Sequence, residues 1–155
     1  MRSYSVAVMA VVVAASAVTL AAGEQRYRVI VNSSRAVQQL SNDQLADYFL
    51  KRAKKWPDGV AVTPVDLTMK SEVRRSFTED VLANTVNEML AYWERQIAAG
   101  RKTPPAVKGS DEGVVAFVKA NPGAIGYVST EASMPPGVRE IAILHIDTRA
   151  VRAAE

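Results

Sequence analysis

Asn121-Pro122-Gly123-Ala124-Ile125-Gly126-Tyr127-Val128 marks the point where a helix must give way to a strand. Proline has no amide hydrogen to give a helix and its ring collides with the preceding turn, while glycine supplies the backbone freedom of a sharp reversal. Ala124–Val128 is then a short apolar run that reads as a strand. Upstream, Ser110 is placed to cap a helix, with Asp111 and Glu112 suited to its positive end and Val114, Phe117 and Val118 on one face. Downstream, Thr130 to Gly137, with its Pro135-Pro136 step, reads as a loop and Val138 to Ile146 as a final strand. The tail after Asp147 is expected to be loose or a short helix.

Working back toward the N-terminus, the alternation continues. Tyr27–Asn32 is a strand by its β-branched content. Ser41 and Gln44 form a capping box, and Leu40 and Leu45 a hydrophobic staple, at the start of a helix with Leu45, Tyr48, Phe49 and Ala53 on its buried stripe. Lys51, Arg52, Lys54 and Lys55 would crowd the C-terminal end of that helix, where cations suit the negative pole. Pro57-Asp58-Gly59 is a turn, and Val60–Val65 a second strand in which Pro64 hints at an edge or a strand end. A helix from about Ser71 to Leu82 shows Val73, Phe77 and Val81 on one face. Thr85 and Glu88 make another capping box, opening a helix with Met89, Leu90, Trp93 and Ile97 as its stripe and Gly100 as its stop. Arg101–Pro105 is a loop. The order β-α-β-α-α-α-β-β predicts an α/β protein, a mixed sheet flanked by helices, with no repeat and no interdomain linker.

Composition narrows the chemistry. The chain has 155 residues, 48% hydrophobic and 23% charged, so disorder and low-complexity scaffolds are excluded. It has no cysteine, which excludes a disulfide framework, a thiolate zinc site and a cysteine nucleophile. A single histidine, His145, excludes multi-histidine metal sites and disfavours a Ser-His-Asp enzyme. The net charge of +3 is mild and mixed, without the clustered basic face of a nucleic-acid binder. No metal or organic cofactor is expected.

The first 23 residues differ from the rest. Arg2 supplies a positive start, Val6–Ala22 is uncharged, and Ala21-Ala22-Gly23 precedes Glu24. This is the pattern of a secretory signal peptide spanning 1–23, cleaved after Gly23, which would leave 24–155 as one exported domain with the Arg2 charge removed. The alternative is a retained anchor, for which the apolar run is at the lower limit of length. With no cysteine after it, a lipoprotein is excluded. The expected location is the periplasm or the exterior, with the processed chain not an integral membrane protein.

Few residues are candidates for chemistry. Thr68-Met69-Lys70-Ser71-Glu72-Val73-Arg74 follows a strand and opens a helix, where free amides and the positive pole make an anion site. Thr68, Lys70, Ser71 and Arg74 are the candidate oxyanion ligands. Against this, Ser71 is also a preferred cap, the bases would be solvated on the simpler view, and the Glu72 carboxylate competes with an incoming anion. The Lys51–Lys55 run is either a solvated helix end or a contact for an acidic partner or phospholipid. Trp56 and Trp93 are read as core rather than ligand platforms. Glu79-Asp80 and Asp111-Glu112 fit exposed or first-turn helix positions, so no acid–base dyad, and no enzyme, is expected.

Three segments together resemble the phosphate-binding protein of bacterial ABC transporters, and more closely its small single-lobe relatives. They are Leu40-Ser41-x-x-Gln44-Leu45-x-x-x-Phe49-Leu50 with Trp56-Pro57-Asp58-Gly59, then Ser71-x-x-x-x-Ser76-Phe77-x-x-x-Val81-Leu82, then Pro122-Gly123-Ala124-Ile125-Gly126-Tyr127-Val128. The resemblance runs over roughly 27–130 and implies one lobe of a type II periplasmic-binding-protein fold. In the family, phosphate contacts lie in an Arg-x-Asp-x-Ser-Gly-Thr stretch. Aligned on Ser71, this chain has Leu67 for the arginine, Met69 for the aspartate, Glu72 for the glycine and Val73 for the threonine. The bidentate arginine is replaced, so the resemblance implies at most weak binding of phosphate or a similar small oxyanion, with Lys70 and Arg74 as substitutes. The other role it allows is an interaction or assembly module, a scaffold for a periplasmic protein partner or for self-association, with ligand binding lost.

Overall fold

A computed structural model describes residues 25–144. The signal-peptide segment, His145 and the tail after Asp147 lie outside the described residues. Six strands form one mixed sheet: β1 (Arg28–Asn32), β2 (Gln39–Ser41), β3 (Thr63–Leu67), β4 (Ala106–Lys108), β5 (Ala124–Val128) and β6 (Val138–Leu144), in spatial order β2-β6-β1-β5-β3-β4. β1 runs antiparallel to β5 and β6, while β3 lies parallel to both β5 and β4, and β2 parallel to β6. Four helices accompany it: α1 (Asn42–Phe49), α2 (Glu72–Leu82), α3 (Val86–Ala98) and α4 (Asp111–Ala120). The fold is α/β, as expected.

β5 is buried at all five positions, because helices cover both faces of the sheet there. Successive side chains of a strand point to opposite faces. Gly126 faces α4, where Val114 and Val118 pack close, and Tyr127 faces the other way, stacked on Phe77 of α2 at 3.9 Å between ring centres and 5.7 Å from Phe49 of α1. Gly123 of the helix-to-strand turn and Gly126 of β5 are both required by close approach. A Cβ on Gly123 would stand 1.9 Å from the Ala61 carbonyl oxygen, and one on Gly126 would stand 2.7 Å from methyls of Val114 and Val65. The Gly123 carbonyl in turn accepts from the Trp56 indole and from the Thr63 amide, both at 2.9 Å, tying the turn to the entry of β3.

The capping boxes at Ser41/Gln44 and Thr85/Glu88 are both formed, and Ser71 and Ser110 cap α2 and α4. Trp56 and Trp93 are buried, as read from sequence. Other expectations need correction. α1 stops at Phe49 and has no basic residue in its last turn; Lys51 turns the chain with φ 53°, so the Lys51–Lys55 cations lie beyond the helix rather than on its end. The second strand begins at Thr63, three residues later than expected, and continues to Leu67. Pro64 sits near its start, ahead of the Val65–Leu67 stretch that pairs with β4, so β3 is an interior strand with proline at its end. β2 and β4 went unread because three residues show no periodicity. Leu90 and Ile97 are exposed, since α3 packs only its Met89–Trp93 side, and Val115 takes the buried place expected for Phe117. The final strand is described as far as Leu144; Ile146 falls outside.

Candidate functional site

β3, β4 and β5 are parallel, so their carboxyl ends share one edge of the sheet, and β3 leads into α2 as β4 leads into α4. Two helix N-termini therefore open beside the same strand ends, the usual location of ligand crevices in open α/β sheets. The Thr68 amide donates to the Lys108 carbonyl at 3.1 Å, fastening the two mouths together. At α2 the first intrahelical bond runs from the Arg75 amide to the Ser71 carbonyl, so the Glu72 and Val73 amides precede the helical ladder.

The four candidate ligands separate into two pairs. Thr68 and Lys70 are exposed at the mouth, and Ser71 is half-buried. Ser71 Oγ accepts from the Arg74 amide at 3.2 Å, which leaves its hydroxyl proton available to an acceptor. Arg74 turns away from the mouth. It is buried rather than solvated, at 8% exposure, its Nη2 lies 3.1 Å from Asp66 Oδ2, and its Nη1 donates to the Leu67 carbonyl at 2.7 Å. The structure thus brings Thr68, Lys70 and Ser71 together and places Arg74 beneath them in an internal ion pair.

That pair belongs to a network whose only sign in the sequence is an aspartate just past the expected Val60–Val65 strand. Asp66 also accepts from the Tyr127 hydroxyl and from the Leu67 amide at 3.0 Å. Burial pushes the Asp66 carboxyl up, against which Arg74, Tyr127 and the Leu67 amide act to lower it. Burial likewise raises the Tyr127 phenol well above its ordinary value, and the Asp66 charge beside it adds to the effect. A cavity of about 10 Å³ touches Asp66, Arg74 and Trp93, at the threshold of room for one water. Glu72 stands exposed at the mouth, paired with Arg75 one helical turn away. Among the described residues no group of three His, Asp or Glu side chains is placed to hold a metal, and no helix is long and apolar enough to cross a membrane.

No protein-family model matches the chain, and no curated protein does. Solved structures do. A phosphate ABC transporter substrate-binding protein from Clostridium perfringens, with phosphate bound, superposes with a TM-score of 0.60 at 15% identity over 83% of this chain and 50% of its own. An ABC-type phosphate transport receptor from Vibrio cholerae gives a TM-score of 0.60 at 20% identity, over 76% of this chain and 46% of its own. PstS from Borrelia burgdorferi gives 0.59 at 13%, over 83% and 51%. At these identities the likeness is one of fold, and the chain spans about half the length of each. It is a single-lobe structural relative of the phosphate transporter substrate-binding proteins, an α/β domain with their periplasmic-binding-protein architecture.

Proposed function

We propose that this chain is an exported, non-enzymatic solute-binding-like domain that takes phosphate or a similar small oxyanion weakly at the α2 mouth. The Ser71 hydroxyl, the Lys70 ammonium, the Thr68 side chain and the amides of Glu72 and Val73 are its ligands. The observation that carries this reading is the α2 N-terminus at the carboxyl end of β3, with Lys70 and Thr68 exposed and the Ser71 proton free to donate. Arg74 acts from behind: its charge, spent on Asp66, fixes the loop between β3 and α2 through the Leu67 carbonyl.

The affinity is set by what the mouth lacks. An open helix terminus contributes about 0.3–1 kcal/mol toward an anion, and an exposed ammonium a similar amount. A bidentate arginine fork would contribute more, but Leu67 occupies that position in the alignment and Glu72 opposes the anion. With one charge-assisted hydrogen bond from the Ser71 hydroxyl, about 1.5–3 kcal/mol, the total is about 2–5 kcal/mol, a dissociation constant on the order of millimolar or weaker. Export rests on the signal-peptide pattern of 1–23, and placement in the periplasm or outside the cell on that pattern together with the fold likeness. The test is calorimetric titration of the processed protein with phosphate and sulfate. Flat heats, with no rise in melting temperature at millimolar anion, would remove the reading.

A second reading has its own support. Met69 and Val107 are exposed at 45% and 50%, on the loop after β3 and on edge strand β4. Both flank the α2 mouth, and this chain spans only about half of the receptors matched in fold. An apolar rim at that place suits a periplasmic protein partner, with ligand capture lost. Specific capture of one partner, abolished by Met69→Asp and Val107→Asp together, would favour it over oxyanion binding.

A further inference from the structure

At the amino end of β3, remote from the α2 mouth, the loops that follow α1 and α3 clasp each other. Lys51 Nζ donates to the Pro104 carbonyl at 3.3 Å, and Lys102 Nζ donates to the Leu50 carbonyl at 3.3 Å. Between these loops lies a cleft of about 470 Å³, within the range of roughly 300–1,000 Å³ usual for small-molecule sites. Its floor is apolar, made by Tyr48, Val62 and Ile97, and Ile97 is 55% exposed there with no protein side chain over it. Its rim is cationic: Lys51, Lys54, Arg101 and Lys102. Among the described residues no acidic side chain lines the cleft, and none of the four cations is in an ion pair.

Four like charges gathered around an apolar floor repel one another, and no carboxylate among the lining residues offsets them. Lys51 is held there by a left-handed backbone, φ 53°, which a side chain bearing a Cβ adopts at a cost. Burial also pushes its ammonium down, the mark of a charge kept from water without a countercharge. We propose that this cleft is a binding site for a small organic anion, an aryl or alkyl body seated on Tyr48, Val62 and Ile97 with a phosphate or carboxylate group held by Lys54 and Arg101. Lys51 and Lys102, tied to backbone carbonyls, shape the walls and add to the field. The site is separate from the α2 mouth and stands or falls independently of it.

Phenyl phosphate is the probe, titrated calorimetrically into the full chain. The expected result is saturable binding, with inorganic phosphate and benzyl alcohol each roughly tenfold weaker, because each supplies only one of the two contacts. The double variant Lys54→Ala/Arg101→Ala removes two exposed side chains and leaves the melting temperature in place. It should weaken phenyl phosphate roughly tenfold, given a few-fold for each exposed charge. Lys70→Ala, at the far end of β3, should leave that binding unchanged while weakening phosphate at the α2 mouth. The Tyr48 ring lies 4.8 Å from that of Trp56, so the Trp56 indole N–H resonance should shift on saturation and report where the ligand sits. Vesicles containing phosphatidic acid separate the two sources of the anion. Binding of both phenyl phosphate and vesicles, lost together in the double variant, supports the site with a lipid as one natural supplier. Absence of saturable heat with phenyl phosphate, equal affinity for benzyl alcohol, or full binding by the double variant overturns it, as does binding of vesicles alone.

Discussion

The Gly123–Val128 turn and strand and the Thr68–Ser71 mouth of α2 sit in the same sheet and carry the same family resemblance, yet they are held in opposite ways. In the first, close packing holds the chain: Ala61 against Gly123, Val114 and Val65 against Gly126, Phe77 against the Tyr127 ring. In the second, Thr68, Met69 and Lys70 are exposed, and the one ordered contact of the Ser71 side chain is its own helix cap. Packing and the chemistry of the mouth rest on different residues, so either can be altered without the other. The largest expected effects therefore lie in the turn. Gly123→Ala drives a Cβ into the Ala61 carbonyl and breaks the anchor of the Trp56 indole, and loss of cooperative folding is expected by circular dichroism. Gly126→Ala meets only methyl groups, which yield more readily, so a loss of about 1–3 kcal/mol is expected from denaturant unfolding. If Gly126→Ala proves the more damaging, backbone approach at Gly123 is not what fixes the turn.

Between these extremes stands the Asp66–Arg74 pair, where the side chains retain 13% and 10% exposure. Removing one member of such a pair strands the other, at a cost of about 3 kcal/mol or more when burial is complete, and somewhat less here. Arg74→Met is expected to destabilise at neutral pH. Its pH dependence has a definite sign. Burial already holds the folded Asp66 carboxyl above its ordinary value, so the folded state keeps that proton more tightly than the unfolded chain. Stability from this group is therefore full below about pH 4, the unfolded carboxyl value, and declines as pH rises through the folded value. Losing Arg74 removes a lowering influence and raises the carboxyl further. Thermal melts of Arg74→Met should thus fall short of the parent by more at pH 7 than at pH 4. An equal deficit at both would mean that the arginine serves packing rather than charge.

The difference between the two regions also explains what was legible in the sequence. α1 and α3 could be placed from their capping boxes, and β5 from the Pro-Gly step, because each signal is local and each arises from a backbone group that needs a partner at a fixed offset. β2 and β4 were illegible: three residues each, held only by pairing with strands distant in sequence. The end of α1 was misplaced because the cations after Phe49 suit a helix terminus equally well inside or beyond it. At the mouth, Ser71 as a cap was readable, but the fate of Arg74 was not. Whether an arginine three residues past a cap turns out to solvent or inward depends on Asp66, on a neighbouring strand, and on Tyr127, on another.

Alkaline titration sharpens the contrast on the packed side. Burial raises the phenols of Tyr27, Tyr48 and Tyr127, with Asp80 adding to the rise at Tyr27 and Asp66 at Tyr127. The unfolded chain loses these protons near pH 10 while the folded chain keeps them. Their contribution to stability is whole below that value and is lost as pH climbs toward the folded ones. Phenolate absorbance should therefore rise in one cooperative step with the loss of helical circular dichroism. Gradual ionisation of all the tyrosines with the fold intact would show the Tyr27–Phe77–Tyr127 cluster to be more accessible than its ring contacts imply.

The smallest effects belong to the mouth, and they separate its structural from its binding role. Ser71→Ala deletes the acceptor for the Arg74 amide and should cost about 1 kcal/mol, the usual value of a serine cap. Lys70→Ala removes a solvated ammonium and should leave stability unchanged. Toward phosphate the ranking reverses. Lys70→Ala should weaken binding a few-fold, whereas Ser71→Gly, which retains a tolerable cap, should lose the hydroxyl donor at little cost in stability. Measuring both quantities on the same variants divides the two demands made on Ser71. If phosphate affinity follows stability from variant to variant, the mouth is only the start of a helix. If Lys70→Ala alters affinity with the melting temperature fixed, then a residue that nothing in the fold requires is there for the anion.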